Sequence, residues 1–326
     1  MNPPYSVIVF TTAAGAGYGL LFWLALAVVA HAVPIEPVLG ATGVLLAMVL
    51  VTTGLLLSSL HLGRPERAWR ALSQYRTSWL AREGIAAIAT YIPAVALAAI
   101  WVFAPEQRIC MLVAAVLSGI GASVTVWCTG MIYATLPTIP AWNQRLTAPI
   151  YLVIAGGSGA VLLNLILSAT GLWQPLAVWI VLLLMISAFG LKLGYWKVID
   201  MRSHRVTLAE AIGLTGYGPV RPLIPPHTQA NFVMREMGYA IARKHRSHLR
   251  WLVILFIVAV PMTSAVLQLT TGGVATRLVL AASAALSVTL GVLIERWLFF
   301  AEAEHISIIY YSGQQSRKGT SGLASK

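Results

Sequence analysis

The chain has 326 residues, of which 58% are hydrophobic and only 10% charged, with a mean hydropathy of +0.80. That balance excludes a water-soluble globular domain and makes a polytopic helical membrane protein the expected class. The net charge of +12 is not a nucleic-acid signature, because the basic residues gather in a few loops between apolar runs and no nucleic-acid motif accompanies them.

Eight apolar runs follow in chain order, at residues 7–30, 38–60, 84–103, 111–133, 148–168, 172–195, 252–269 and 278–300. Each is long enough for one crossing as a helix, the form that satisfies its own backbone hydrogen bonds in hydrocarbon. The predicted fold is therefore all-α, a bundle of about eight transmembrane helices forming a single integral membrane domain over residues 1–326. The first run has no basic residues before it and is too long for a signal-peptide core, so Ala30-His31-Ala32 reads as the end of a retained span rather than a cleavage site. Small residues such as Gly15, Gly17, Gly19, Gly119, Gly121 and Gly156 to Gly159 recur inside spans, where they let helices pack closely. The two cysteines, Cys110 and Cys128, have no metal-binding spacing and read as small buried hydrophobes, so the chain holds neither an iron–sulfur cluster nor a structural zinc by itself.

Nineteen of the 22 Lys and Arg residues fall on one side of this bundle; Arg108 and Arg277 fall on the other, and Arg296 lies inside the eighth run. By the positive-inside rule the loaded side is predicted to be cytoplasmic, together with both termini. The connection 197–250 is too polar to cross. It carries turn chemistry, then an amphipathic helix predicted from Thr228, with Arg243, Lys244 and Arg246 at its C-terminal end, where cations suit the helix dipole. Such a helix serves either as an interfacial element on anionic lipid or as a docking surface for a protein partner. The tail 312–326 is polar and expected to be flexible.

The stretch SSLHLGRPERAWRALSQYRTSWLARE, residues 58–83, concentrates the chemistry. It carries five arginines, a histidine at one end and an acid at the other. Haem b in a membrane bundle needs facing histidines within spans, whereas His31, His61 and His305 sit at predicted helix ends and the other four lie in the long connection, so no haem is expected. No P-loop, GxSxG, HExxH or EF-hand is present. What remains is a set of ionisable groups where hydrocarbon meets the predicted cytoplasm: His61, Glu83, Glu295, Glu302 and His305. Charge at membrane depth is costly and marks candidate functional residues. His61 titrates near neutral pH and can pass a proton; Glu83, beside Arg82 at a helix start, is expected to stay ionised and accept one. A lipid-soluble quinone exchanges two electrons and two protons and needs such groups near the membrane surface. Against that stands a plainer reading, with His61 as a cap and Glu83 as a solvated ion pair with Arg82 or Arg64. Glu295, Glu302 and His305 fall near one predicted helical face, which suggests a proton route; an ion pair between Glu295 and a neighbouring helix is the alternative.

The runs SSLHLGRPERAW, WLAREG, MIYATLPTIPAWN and GVLIERWLFFAEAEHI together resemble the DmsC family, the membrane anchor subunits of three-subunit molybdenum oxidoreductases. The resemblance covers nearly the whole chain. It implies a haem-free anchor that binds a quinone, ubiquinone or menaquinone, and exchanges electrons with an iron–sulfur partner, itself connected to a molybdopterin catalytic subunit. It also implies that His61 and Glu83 belong to the quinone site. Arg64, Tyr133 and Trp142 join them as residues expected near the same surface, able to offer hydrogen bonds or a flat face to a quinone ring. Arg67 and Arg70, with Arg243, Lys244 and Arg246, are the candidates for partner docking. The long connection and the inward-facing loop depart from the dimethyl sulfoxide reductase anchors. They resemble more the anchors of cytoplasmic sulfite dehydrogenases, which implies reduction of quinone. A purely structural anchor and a secondary transporter remain as alternatives. The transporter fits least, because the middles of the spans are nearly free of charge and no inverted repeat is evident.

Overall fold

The computed structural model describes residues 4–59, 64–201, 209, 212–216, 220 and 241–307. Among them, eight helices are long and apolar enough to cross a membrane. They are α1 (Tyr5–Val29), α2 (Pro37–Ser59), α3 (Trp79–Phe103), α4 (Arg108–Ala134), α5 (Thr147–Ala169), α6 (Pro175–Met201), α7 and α8 (Val274–Ala301). Helix α7 runs through three segments, Ile241–Ile254, a π-helical turn Leu255–Ala259, and Val260–Thr270. A 3₁₀ helix, Pro65–Gln74, lies between α2 and α3.

Helices α1 and α5 form the centre. Helix α1 packs on α2, α4, α5 and α8, and α5 packs on α1, α4, α6 and α8, while α3 lies outside α2 and α4. The centre is possible because two glycines meet there. A Cβ on Gly19 would strike the Ala155 carbonyl, and one on Gly159 would strike the backbone of Gly19 and Leu20. Gly17 is equally committed, since its Cβ would come 2.6 Å from the Ala47 carbonyl oxygen of α2. With no hydrophobic force between helices in lipid, such close backbone approach supplies the packing. The outer helices turn bare aliphatics outward instead, Ile92 at 74% and Leu183 at 65% exposure, as a protein dissolved in hydrocarbon requires.

Alternating crossings bring the starts of α1, α3, α5 and α7 and the ends of α2, α4, α6 and α8 together, here called the basic end. Several boundaries differ from the sequence expectation. Helix α3 begins five residues early because Ser78 caps it, its hydroxyl accepting from the Ala81 N–H at 3.3 Å. Helix α6 continues to Met201, and α7 is already helical at Ile241. The helix that carries the cations at 243, 244 and 246 continues across the bundle to Thr270, so the expected match to a C-terminal dipole does not hold. The stretch from Thr228 to residue 240, the tail 312–326 and His61 lie outside the described residues. Of the cysteines, Cys128 is buried as expected but Cys110 is exposed. It sits in the first turn of α4 beside Ile109, which is 79% exposed.

Candidate functional site

Glu83 is built by the cap that moved the start of α3. With the helix beginning at Trp79, Glu83 sits one turn inside it and turns onto α4, where it is only 4% exposed. Arg82 turns the other way. Its Nε donates to the Tyr75 carbonyl at 2.8 Å and its Nη2 to the Arg76 carbonyl at 2.7 Å, and its guanidinium lies 4.3 Å over the Trp79 ring. The solvated ion pair of the plainer reading therefore does not form. Nor does Glu83 pair with any other cation among the described residues. Its partner is Thr129 on α4, whose hydroxyl makes a short contact with Glu83 Oε1 and also donates to the Thr125 carbonyl at 3.0 Å. One hydroxyl proton faces two acceptors. Both contacts are satisfied at once when the carboxyl itself carries a proton and donates it to Thr129.

The 3₁₀ helix folds back over this point. Leu72 packs on Gly84 so closely that a Cβ there would come within 3.1 Å of it. Arg64, Arg67 and Arg70 stand exposed along it, with Trp69 at 67% exposure and the Arg70 guanidinium 5.5 Å over its ring. A buried carboxyl with no cation partner among the described residues thus lies under an exposed aromatic and cationic rim.

A second set of charges runs from the bundle interior to the basic end. Lys192 Nζ donates to Glu295 Oε1 at 2.7 Å, and Arg296 Nε approaches Glu295 Oε2 at 3.4 Å, with all three side chains almost wholly buried. The Arg296 guanidinium lies 3.6 Å over the Tyr151 ring. Further out, Arg250 joins Glu302 at 2.9 Å to Asp200 at 2.7 Å, and Arg246 reaches Asp200 at 3.3 Å. Trp196 carries both sets, with Lys192 5.1 Å and Arg250 5.2 Å over its ring. Burial pushes the Glu302 carboxyl above its ordinary range, and Arg250 pulls it part of the way back. The alternative reading of Glu295, an ion pair to a neighbouring helix, is the one observed.

Glu302 caps α8 with helical backbone, its N–H on the Leu298 carbonyl, so it falls seven positions along the face of Glu295, whereas His305 lies beyond the helix end at Ala301 and does not share that face. His305 Nδ1 meets the Ser307 hydroxyl at 2.7 Å, two residues along its own loop. Between these charges and Glu83 lies a packed aromatic cluster. Tyr133 stacks on Tyr151 at 5.7 Å, Trp142 stacks on Phe299 at 5.5 Å, and Phe300 meets both Tyr133 and Trp142 edge-on. Trp142 Nε1 donates to the Phe299 carbonyl at 2.9 Å, satisfying one of the orphan acceptors at the end of α8. The flat faces expected to meet a quinone ring are thus taken up by neighbouring rings. Both residues instead clamp the loop between α4 and α5 to the last helix.

The family model for the DMSO reductase anchor subunit, DmsC, matches residues 1–301. The chain belongs to the DmsC family. A relative from Allochromatium vinosum, itself a subunit of sulfite dehydrogenase, is 31% identical over 331 residues, an alignment covering 95% of this chain and 99% of the relative. The DmsC family identity makes this chain a membrane anchor of an oxidoreductase complex.

Several residues of this DmsC chain escape a linear reading. Lys192 is one of the nineteen cations counted on the basic side, yet α6 runs nine residues beyond it and buries it. Its signal was the apolar run that resumes after it, with Trp196 one turn away. Thr129 had a fainter one, the Gly121, Thr125, Thr129 stripe at every fourth position of α4. Tyr18 and Tyr151 had none.

Proposed function

We propose that this chain is the quinone-reactive anchor of a cytoplasmic sulfite dehydrogenase, passing electrons from an iron–sulfur subunit to quinone in a bacterial plasma membrane. A molybdopterin subunit would oxidise sulfite on the same, cytoplasmic side, with both termini of the anchor facing it. The single observation that carries this reading is Glu83, a buried carboxyl with no ionic partner among the described residues, under an exposed arginine and tryptophan rim. A group held in that way exchanges protons rather than anchoring a salt bridge, and quinone chemistry needs a proton donor at the membrane surface.

The residues suit a ring that arrives from the lipid between the end of α2 and the start of α3, where residues 60–63 carry His61. The interior cavity beside Glu83 has about 20 Å³ of free volume; it takes water and is too small for the ring. When bound, quinone supplies the two-electron acceptor. The chain's own part is to hold a proton on Glu83, hydrogen-bond the ring from His61 and Arg64, and exclude bulk water. Arg67, Arg70 and Arg246 suit an acidic face on the iron–sulfur subunit, with Arg243 and Lys244 on the same helical run as Arg246. The relative's name favours sulfite oxidation, and the family description leaves a dimethyl sulfoxide reductase-type anchor that oxidises quinol as the second reading.

The test is the purified complex carrying Glu83→Gln or His61→Ala. Quinone reduction is expected to fall at least ~100-fold, as loss of a general acid does, while sulfite oxidation with an artificial acceptor continues. Undiminished quinone turnover in both variants would overturn the site and leave a purely structural anchor.

A further inference from the structure

Behind Glu83, on the side away from the rim, the bundle encloses a cavity bounded by α1, α2, α3, α4, α5 and α8. Its polar lining includes Thr12, Tyr18, Glu83, Thr129, Tyr151 and Arg296; Thr11, Thr125 and Ser158 also line it, their hydroxyls donating to carbonyls of their own helices. Four of these side chains present buried polar atoms without a hydrogen-bond partner among the described residues: Thr12 Oγ1, Tyr18 OH, Tyr151 OH and Arg296 Nη1. None is more than 8% exposed. Buried polar atoms without partners cost about 1–3 kcal/mol each, and four around one space is far from the near-complete satisfaction of native interiors. The free volume of about 20 Å³ exceeds the ~10–15 Å³ that one water needs. Ordered water is therefore what the lining is built to hold.

The ends of this space differ in charge. At one end stands Glu83 with its Thr129 contact; at the other stands Arg296, paired to Glu295, which is in turn paired to Lys192. Two buried cations share one buried carboxylate at that end, so it carries a fixed excess positive charge. A water held between that charge and Glu83 is polarised with its oxygen toward Arg296 and its hydrogens toward the carboxyl.

We propose that the cavity is a hydrated proton relay, in which water bound by Thr12, Tyr18, Tyr151 and Arg296 re-protonates Glu83 after Glu83 has given its proton to the quinone. The inference rests on the quinone reading above and adds where the proton comes from. Two electrons arrive from a reduced iron–sulfur donor, one at a time. Of the two protons that the two electrons require, Glu83 delivers one, its carboxyl O–H bond breaking as an O–H bond to a quinone oxygen forms; the other comes from the aqueous phase at the rim. The resulting carboxylate takes a proton from the cavity water, which is restored from the aqueous phase at the basic end. Arg296 stays protonated throughout and holds the transient negative charge. It is a positioning residue, since it acts through the water.

The test uses Tyr18→Phe and Thr12→Val, which keep shape and remove only a water anchor, each in the intact complex. Quinone reduction is expected to slow by about tenfold, less than the ~10²–10⁴-fold that the positioned acid itself supplies, since each variant removes one water anchor and leaves Glu83 in place. The KM for quinone should stay unchanged, and the solvent deuterium isotope effect should rise. In infrared difference spectra the protonated-carboxyl band, assigned by its loss in Glu83→Gln, should shift in both variants. If Glu83→Gln is inactive while both hydroxyl variants keep wild-type rates and an unmoved band, the relay is wrong and the quinone site stands. If Glu83→Gln itself turns over normally, the underlying reading fails instead. Should Tyr18→Phe not assemble, Thr12→Val decides alone, and water density between Tyr18 and Arg296 in a high-resolution map of the wild type is the independent check; a dry cavity would overturn the proposal.

Discussion

The buried triad Lys192, Glu295 and Arg296 predicts an order of stabilities that simple pair counting would miss. Two cations share one carboxylate, so replacing Lys192 with Met leaves a neutral pair, whereas replacing Glu295 with Gln leaves two buried cations facing each other. Lys192→Met removes the 2.7 Å charge-assisted hydrogen bond but keeps Arg296 at 3.4 Å from Glu295. That costs about 1.5–3 kcal/mol, the value of a hydrogen bond to a charged group. Glu295→Gln strands both cations and is expected to cost about 3–5 kcal/mol, the range for breaking a buried pair from one side. With about 2–4 °C per kcal/mol, the melting temperature in mild detergent should drop by roughly 3–12 °C for Lys192→Met and by more for Glu295→Gln. Thermal scans of the isolated anchor followed by tryptophan fluorescence give the comparison. Equal losses, or a larger loss for Lys192→Met, would refute the reasoning, because they would mean that Arg296 does not share the carboxylate.

Other outcomes follow from single contacts. Gly159→Ala puts a methyl group into the backbone of Gly19 and Leu20, so it should cost ~3 kcal/mol or more and sharply lower the amount of anchor recovered from membranes, whereas Gly190→Ala, with open space around it, should be recovered normally. Trp142→Phe keeps the stack on Phe299 but strands the Phe299 carbonyl; about 1–3 kcal/mol of stability should be lost, with little change in quinone kinetics if the ring face is as covered as the aromatic packing indicates. Reversing Arg67 and Arg70 to Glu should weaken capture of the soluble partner subunits in a salt-dependent way, while thermal stability of the exposed rim stays within ~0.5 kcal/mol.

Eight long apolar runs make the fold legible because hydrocarbon leaves helices almost no alternative, and Glu83 stands out as a lone acid at the edge of such a run. Its surroundings do not. Whether it pairs with Arg82 depends on one turn of helix added by the Ser78 cap, which rotates the two side chains to opposite sides. Lys192 falls near the end of the sixth apolar run, where it counts with the charges of the basic side. The partner that buries it, Glu295, is 103 positions away, and no local pattern reports such a distance. Trp142 misleads differently: a tryptophan in a loop suggests a free ring, and only the packing of α8 shows that its faces are taken.

The proposed chemistry requires the rim, Glu83 and the docking arginines to face the cell interior together. A single exposed cysteine introduced at Ser73 on the 3₁₀ helix, in a chain with Cys110→Ser, can be probed with a membrane-impermeant maleimide in membranes of both orientations. Labelling is expected in inverted vesicles and not in intact cells; labelling of intact cells would contradict an inward-facing quinone site.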